Sequence, residues 1–214
     1  MSRELPILFN VEMVRAILDG RKTCTRRICK DTNECIVPDM DFFDPEKRTY
    51  AVHNYADKEH TGKLSIAERT CPICPGDILY VRESYSELSF GYVYKADGEN
   101  IDHLGNVIKW HPSIHMPKEA ARIWLKVTDV RVERLQEITE NEAVKEGIYV
   151  SNCKDCNAPF GCDTCPDEGY NEIDEFAELW NSTIKKSDFD RYGWDTNPYV
   201  WVIEFEQCEK PEGV

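Results

Sequence analysis

The chain has 214 residues, 41% of them hydrophobic, and a formal net charge of -14, enough to bury one sizeable core with insertions. So acidic a balance excludes a protein that coats nucleic acid through many phosphate-neutralising cations, yet allows a local cationic patch on an acidic body. No apolar run approaches the length of a membrane span, and the opening MSRELPILFN lacks the apolar stretch of a signal peptide. The expected setting is therefore cytoplasmic, where 10 cysteines point to metal or free thiols before disulfides.

In chain order, Pro6 to Phe9 reads as a short apolar strand. Asn10 is placed to cap a helix with Met13, Val14, Ile17 and Leu18 on one face, and Gly20 supplies its stop. GRKTCTRR follows, gathering Arg21, Lys22, Arg26 and Arg27 in the turn that leads to the next strand. Residues from about 28 to 75 are polar, with scattered prolines and little periodicity, and read as an insertion. Pro75-Gly76-Asp77 is a turn before a strand over Ile78 to Arg82, and GYVYKADG is a second short strand. From Ile123 onward the sequence alternates, with Ile123, Leu125, Val127, Val130 and Val132 inward and one change of phase near Asp129. Such a change suggests a bulge, as where a sheet curls into a barrel. Thr139 and Glu142 form a capping-box pattern, and Gly147 ends a short helix. Ile173 to Ile184 is an amphipathic helix with Ile173, Phe176, Leu179 and Trp180 inward, and PYVWVIEFEQ closes the chain as a strand. The expectation is an α+β fold, a small open or closed barrel with flanking helices, in a single domain with insertions at about 28–75 and 151–170.

The cysteines carry the clearest local chemistry. Cys153-x2-Cys156-x5-Cys162-x2-Cys165 puts four thiolates within reach of one tetrahedral cation, with Gly161 to turn the chain back. A closed four-thiolate zinc leaves no position for water and would staple the loop, while four unmetallated thiols are the plainer alternative. Cys71-x2-Cys74 is a weaker signal, because its partners would come from afar; Cys29 and Cys35 are the candidates for a second zinc. Ordinary loop thiols are the alternative there. Cys24 and Cys208 read as small apolar residues in or near strands.

The cationic turn has a simple structural reading too, since cations complement the dipole at a helix C-terminus. Against it stands the spacing of Lys22 and Thr25, which lets a tight turn aim both into one pocket. A lysine among arginines has its ammonium form disfavoured, and a neutral lysine can activate a threonine hydroxyl as nucleophile.

ILFNVEMVRAILDGRKTCTRR, followed by PGDILYVRE, WHPSIHMPKEAARIWLKVTDVRVERLQ, ITENEAVKEGI and YGWDTNPYVWVIEFE, resembles the ASCH domain family, whose fold is similar to the PUA domain. It looks like the larger ASCH proteins of bacteriophage and prophage genomes, over most of the chain except roughly 31–70 and the four-cysteine loop. The resemblance implies a β-barrel with a cleft and a nucleoside or RNA partner. One small bacterial branch of the family is an amidohydrolase that removes the acetyl group of N4-acetylcytidine. Its catalytic lysine, threonine and glutamate fall on Lys22, Thr25 and Glu146, and Thr23 and Arg26 also match its motif. This chain is about twice as long as that branch, so its added loops bear on which substrate enters. The implied chemistry has Lys22 deprotonate Thr25, Thr25 attack an acyl carbonyl, and Glu146 carry the proton to the leaving amine.

Three further residues are candidates for substrate binding. Arg82 and Glu83 follow a strand and face a cleft or pair within the sheet, and His115 sits in the proline-bracketed loop PSIHMP. Trp194 stacks on a base or, the reading favoured, caps the barrel. Two other functions remain open, a non-catalytic module for a modified base and an RNase whose cations hold phosphate.

Overall fold

A computed structural model of the chain describes residues 2–30, 32, 36–98, 100–102, 104–148 and 172–211. The described residues form a mixed α+β fold, mostly strand with a few short helices. The strands are β1 (Glu4–Leu8), β2 (Cys24–Ile28), β3 (Ile36–Asp44), β4 (Thr49–Tyr55), β5 (Lys63–Thr70), β6 (Ile78–Arg82), β7 (Tyr85–Leu88), β8 (Gly91–Tyr94), β9 (Trp124–Arg134) and β10 (Tyr199–Cys208). The helices are α1 (Val11–Leu18), α2 (Glu140–Lys145), α3 (Glu172–Thr183) and α4 (Phe189–Tyr192), with several 3-10 turns between. One five-stranded sheet has the order β1-β6-β9-β10-β2. It is open among the described residues, with β1 and β2 at its edges, so the barrel expected from the sequence is not closed there. The chain divides into two compact units, Met1–Thr23 with Pro75–Asp129 and Glu204–Val214, and Cys24–Cys74 with Val130–Ile203.

In the first unit β1 pairs parallel with β6, Glu4 opposite Ile78 through Leu8 opposite Arg82. The turn before β6 is anchored by Asp77, fully buried, whose carboxylate accepts from the Arg3 amide and guanidinium, both at 3.1 Å. Asn10 caps α1 as its sequence suggests, its Oδ1 accepting from the Met13 amide at 2.8 Å. Val14, Ala16 and Ile17 form the buried stripe of α1. In β9 the expected change of phase is present: Thr128 and Asp129 are both exposed before Val130 turns inward. A second apolar group, Met116, Ala120, Ala121 and Trp124, is packed by Tyr80, Tyr85, Tyr92 and Tyr94.

In the second unit the segment expected as an irregular insertion holds an antiparallel sheet, β3-β4-β5. Only β4 contributes a fully apolar buried run, Tyr50, Ala51 and Val52, whereas β5 is almost wholly exposed. A solvated outer strand has no reason to alternate, which is why its pattern was silent. The main core of this unit joins Leu135, Ile138, Ala143, Ile148, Phe176, Trp180, Val200 and Val202. Trp194 packs against it, its ring edge-on to Phe176 at 6.2 Å. The capping box of α2 is formed: the Glu142 amide donates to Thr139 Oγ1 at 3.3 Å, and the Thr139 amide donates back to Glu142 Oε2 at 3.0 Å. Gly147 follows with φ of 91°, a conformation that costs little without a Cβ and ends the helix.

Candidate functional site

The cationic segment owes its shape to the end of α1. Gly20 takes φ of 74°, and the Arg21 and Lys22 amides both donate to the Ala16 carbonyl at 2.9 Å, satisfying the last turn as a glycine-terminated helix does. Lys22 is folded inward, only 3% exposed, with its ammonium 5.5 Å from the centroid of the Phe9 ring. A solvated turn would leave that amine in water. Thr23 is exposed, and its carbonyl accepts from the Phe205 amide at 2.9 Å. Lys22 and Thr23 belong to the first unit; Thr25, Arg26 and Glu146 belong to the second.

In the second unit β2 buries Cys24, Thr25 and Arg26 in succession. Arg26 is the centre of an ion cluster. Its Nη2 lies 3.4 Å from Glu133 and 3.3 Å from Glu142, and its Nη1 lies 3.4 Å from Glu146. Arg131 joins the other side, bonded to Glu133 and 2.7 Å from Glu142. Burying one guanidinium costs several kcal/mol unless it is paired, and three carboxylates, from β9, α2 and the residue just after α2, supply the pairing. The face of Arg26 also meets the Phe176 ring of α3, 5.9 Å from Cζ to the centroid. Among the described residues nothing accepts from its Nε, a buried donor.

Burial raises Glu142, but the Thr139 amide and the Arg26 and Arg131 charges outweigh it and hold the carboxyl below its ordinary value. Burial lowers Arg27 from the usual guanidinium value, and the Glu146 charge opposes that shift. Glu146 itself is 4% exposed and follows directly on the last turn of α2. An acidic residue there gains nothing from the helix dipole; Arg26 and Arg27 account for its place. The sequence reading missed Glu133, Glu142, Arg131 and Arg27 as members of this cluster. The signal was present: Arg131 and Glu133 share one face of a strand, and Glu142 and Glu146 lie four apart on one helix face.

Arg82, Glu83 and His115 belong to the first unit, in a separate arrangement. Arg82 donates to the carbonyls of Ile114 and Met116, the latter at 2.8 Å. Glu83 is buried and gripped by Arg122 at 2.9 and 3.1 Å, while Arg122 also reaches Asp97. Burial raises the Glu83 carboxyl against the opposing pull of Arg122. These contacts hold the 113–122 segment in place. His115 is exposed, and its carbonyl accepts from the Tyr85 hydroxyl at 3.1 Å.

Cys153, Cys156, Cys162 and Cys165 lie outside the described residues, as does Cys35. Cys29, Cys71 and Cys74 are all buried in the second unit. Burial and the Cys74 thiol push the Cys71 thiol up, and burial and Cys29 likewise raise the Tyr50 hydroxyl. Among the described residues no three metal-ligating side chains come together to hold a metal ion. No described helix is long and apolar enough to cross a membrane. Compared with known proteins, the chain matches no family model, no curated protein and no solved structure.

Proposed function

We propose that the chain is an ASCH-domain protein with a PUA-like barrel that takes a nucleoside or RNA base and hydrolyses the N4-acyl group of an acylated cytidine. The observation that supports it most is the burial of Thr25 next to Arg26, whose guanidinium is tied to Glu146. Thr25 and Glu146, two residues of the implied catalytic set, are thus both out of bulk water, at 2% and 4% exposure. Lys22 enters through its three-residue spacing from Thr25 and its own burial.

In this reading Lys22 removes the Thr25 proton as the Thr25 oxygen attacks the acyl carbonyl. The carbonyl π electrons move to oxygen, and the C–N bond to the cytosine amine then breaks, leaving the acyl group on Thr25. The proton passes to the leaving nitrogen through Glu146, and water hydrolyses the ester to return the threonine and release a carboxylic acid. Backbone amides of the turn, or Arg26, stabilise the negative oxygen that forms on the way. A structural zinc on Cys153, Cys156, Cys162 and Cys165 completes the proposal, supported by their spacing alone.

The test is mass-spectrometric assay of the whole chain against acylated nucleosides, beside Lys22→Ala and Thr25→Val. Release of cytidine by the wild type, lost on the order of a hundredfold or more in both variants, is the expected result. Binding without turnover makes the protein a modified-base reader, and cleavage of RNA oligomers with the free nucleoside ignored makes it an RNase.

A further inference from the structure

We propose that Arg26 Nε–H is the ligand-reading donor of the second unit, and that it takes the oxygen of an uncharged carbonyl, so that free nucleosides are preferred to their phosphates. The inference rests on the nucleoside reading of this same site and names which form of ligand it selects.

The geometry divides the guanidinium into used and unused parts. Both Nη groups face the carboxylates of Glu133, Glu142 and Glu146, and one face meets Phe176. Among the described residues the Nε has no acceptor at all, and the side chain is 1% exposed. A buried donor without an acceptor is penalised, more so on a charged group, so an oxygen from outside the protein has a vacant role here. A ligand oxygen that reaches the Nε–H would satisfy it.

Charge decides what kind of oxygen. Within the second unit the cluster contains Arg26, Arg27 and Arg131 against Glu133, Glu142 and Glu146. Among the described residues these three guanidiniums face three carboxylates, so the groups named offer no surplus positive charge to a phosphate. The chain as a whole carries -14 and repels an approaching anion at low salt. A pyrimidine or acyl carbonyl is a strong acceptor with no charge and fits both conditions.

The experiment follows the arginine Nε–H resonances of the full chain by nitrogen-proton NMR during titration with cytidine, N4-acetylcytidine and cytidine 5′-monophosphate, with hydrolysis measured on the same samples. Arg26→Lys assigns the Arg26 signal and keeps the central charge while removing Nε. The expected result is an Arg26 shift with both nucleosides, binding about tenfold or more weaker for the monophosphate at low salt, and a comparable loss in Arg26→Lys. That result supports the inference whether or not the acetyl group is hydrolysed. Hydrolysis with the Arg26 resonance unmoved, or a monophosphate bound as tightly as the nucleoside, overturns the inference and leaves the hydrolytic function standing. No binding and no hydrolysis with any of the three overturns both. Should Arg26→Lys not fold, the wild-type comparison of nucleoside with monophosphate decides alone.

Discussion

Glu142 does three things at once. It caps α2 through Thr139, pairs with Arg26 and pairs with Arg131. Its carboxyl is held below the ordinary value in the folded chain, so its ionised form favours folding. The stability it contributes is present above the unfolded carboxyl value and is lost as pH falls through the lower, folded one. Glu142→Gln is therefore expected to destabilise the protein at neutral pH, with the difference from wild type shrinking once the medium is more acidic than the folded value. Chemical denaturation at pH 7 and in strong acid measures both gaps. Equal gaps at the two values would show that Glu142 acts through packing rather than charge. Glu83 has the opposite sign, because burial raises it, and its ionised form is tolerated through Arg122.

At the level of elements, α2 has only six residues, too few to persist without its ends being satisfied. Thr139→Ala removes the cap and is expected to cost about 1 kcal/mol in global stability. Because Glu142 and Glu146 both ride on or beside this helix, Thr139→Ala is also expected to loosen their hold on Arg26, read as faster hydrogen exchange at the Arg26 side chain. Loss of stability with no change in that exchange would separate the helix from the cluster. The capping of α1 and α2, and the stops at Gly20 and Gly147, were legible because each is local chemistry written within a few residues. β6 was legible to the residue, its turn and its apolar run both being explicit. The β3-β4-β5 sheet was not. Its strands are polar on exposed faces, β4 alone supplies the buried apolar run, and pairing across the segment is a non-local fact that no window reveals. The candidate residues were legible in part. Lys22, Thr25, Arg26 and Glu146 were singled out and all are buried, whereas the company Arg26 keeps depends on β9 and α2 meeting β2. Arg82 and Glu83 were plausible from position, yet their polar atoms are engaged with the 113–122 segment.

For the whole molecule, the acidic surface and the buried charges act together. A chain at -14 disfavours polyanions at low salt, which agrees with the small uncharged ligand proposed above. The cysteine loop enters at this scale as well, since a four-thiolate zinc would join residues 153–165 whatever the rest of the chain does. Elemental analysis of the purified chain is expected to give about one zinc per molecule, falling by about one in Cys153→Ser/Cys156→Ser. Fewer than about half an equivalent in the wild type would count against the staple.

The central claim is that the Thr25 oxygen becomes acylated during turnover. Its most direct test is rapid acid quenching of the full chain with N4-acetylcytidine, followed by peptide mapping. The account predicts one acetyl group on the peptide carrying Thr25, at a level that falls in Glu146→Gln, where departure of the amine before the ester forms is slowed, and none in Thr25→Val. Release of cytidine with Thr25 never modified, and undiminished in Thr25→Val, would contradict it.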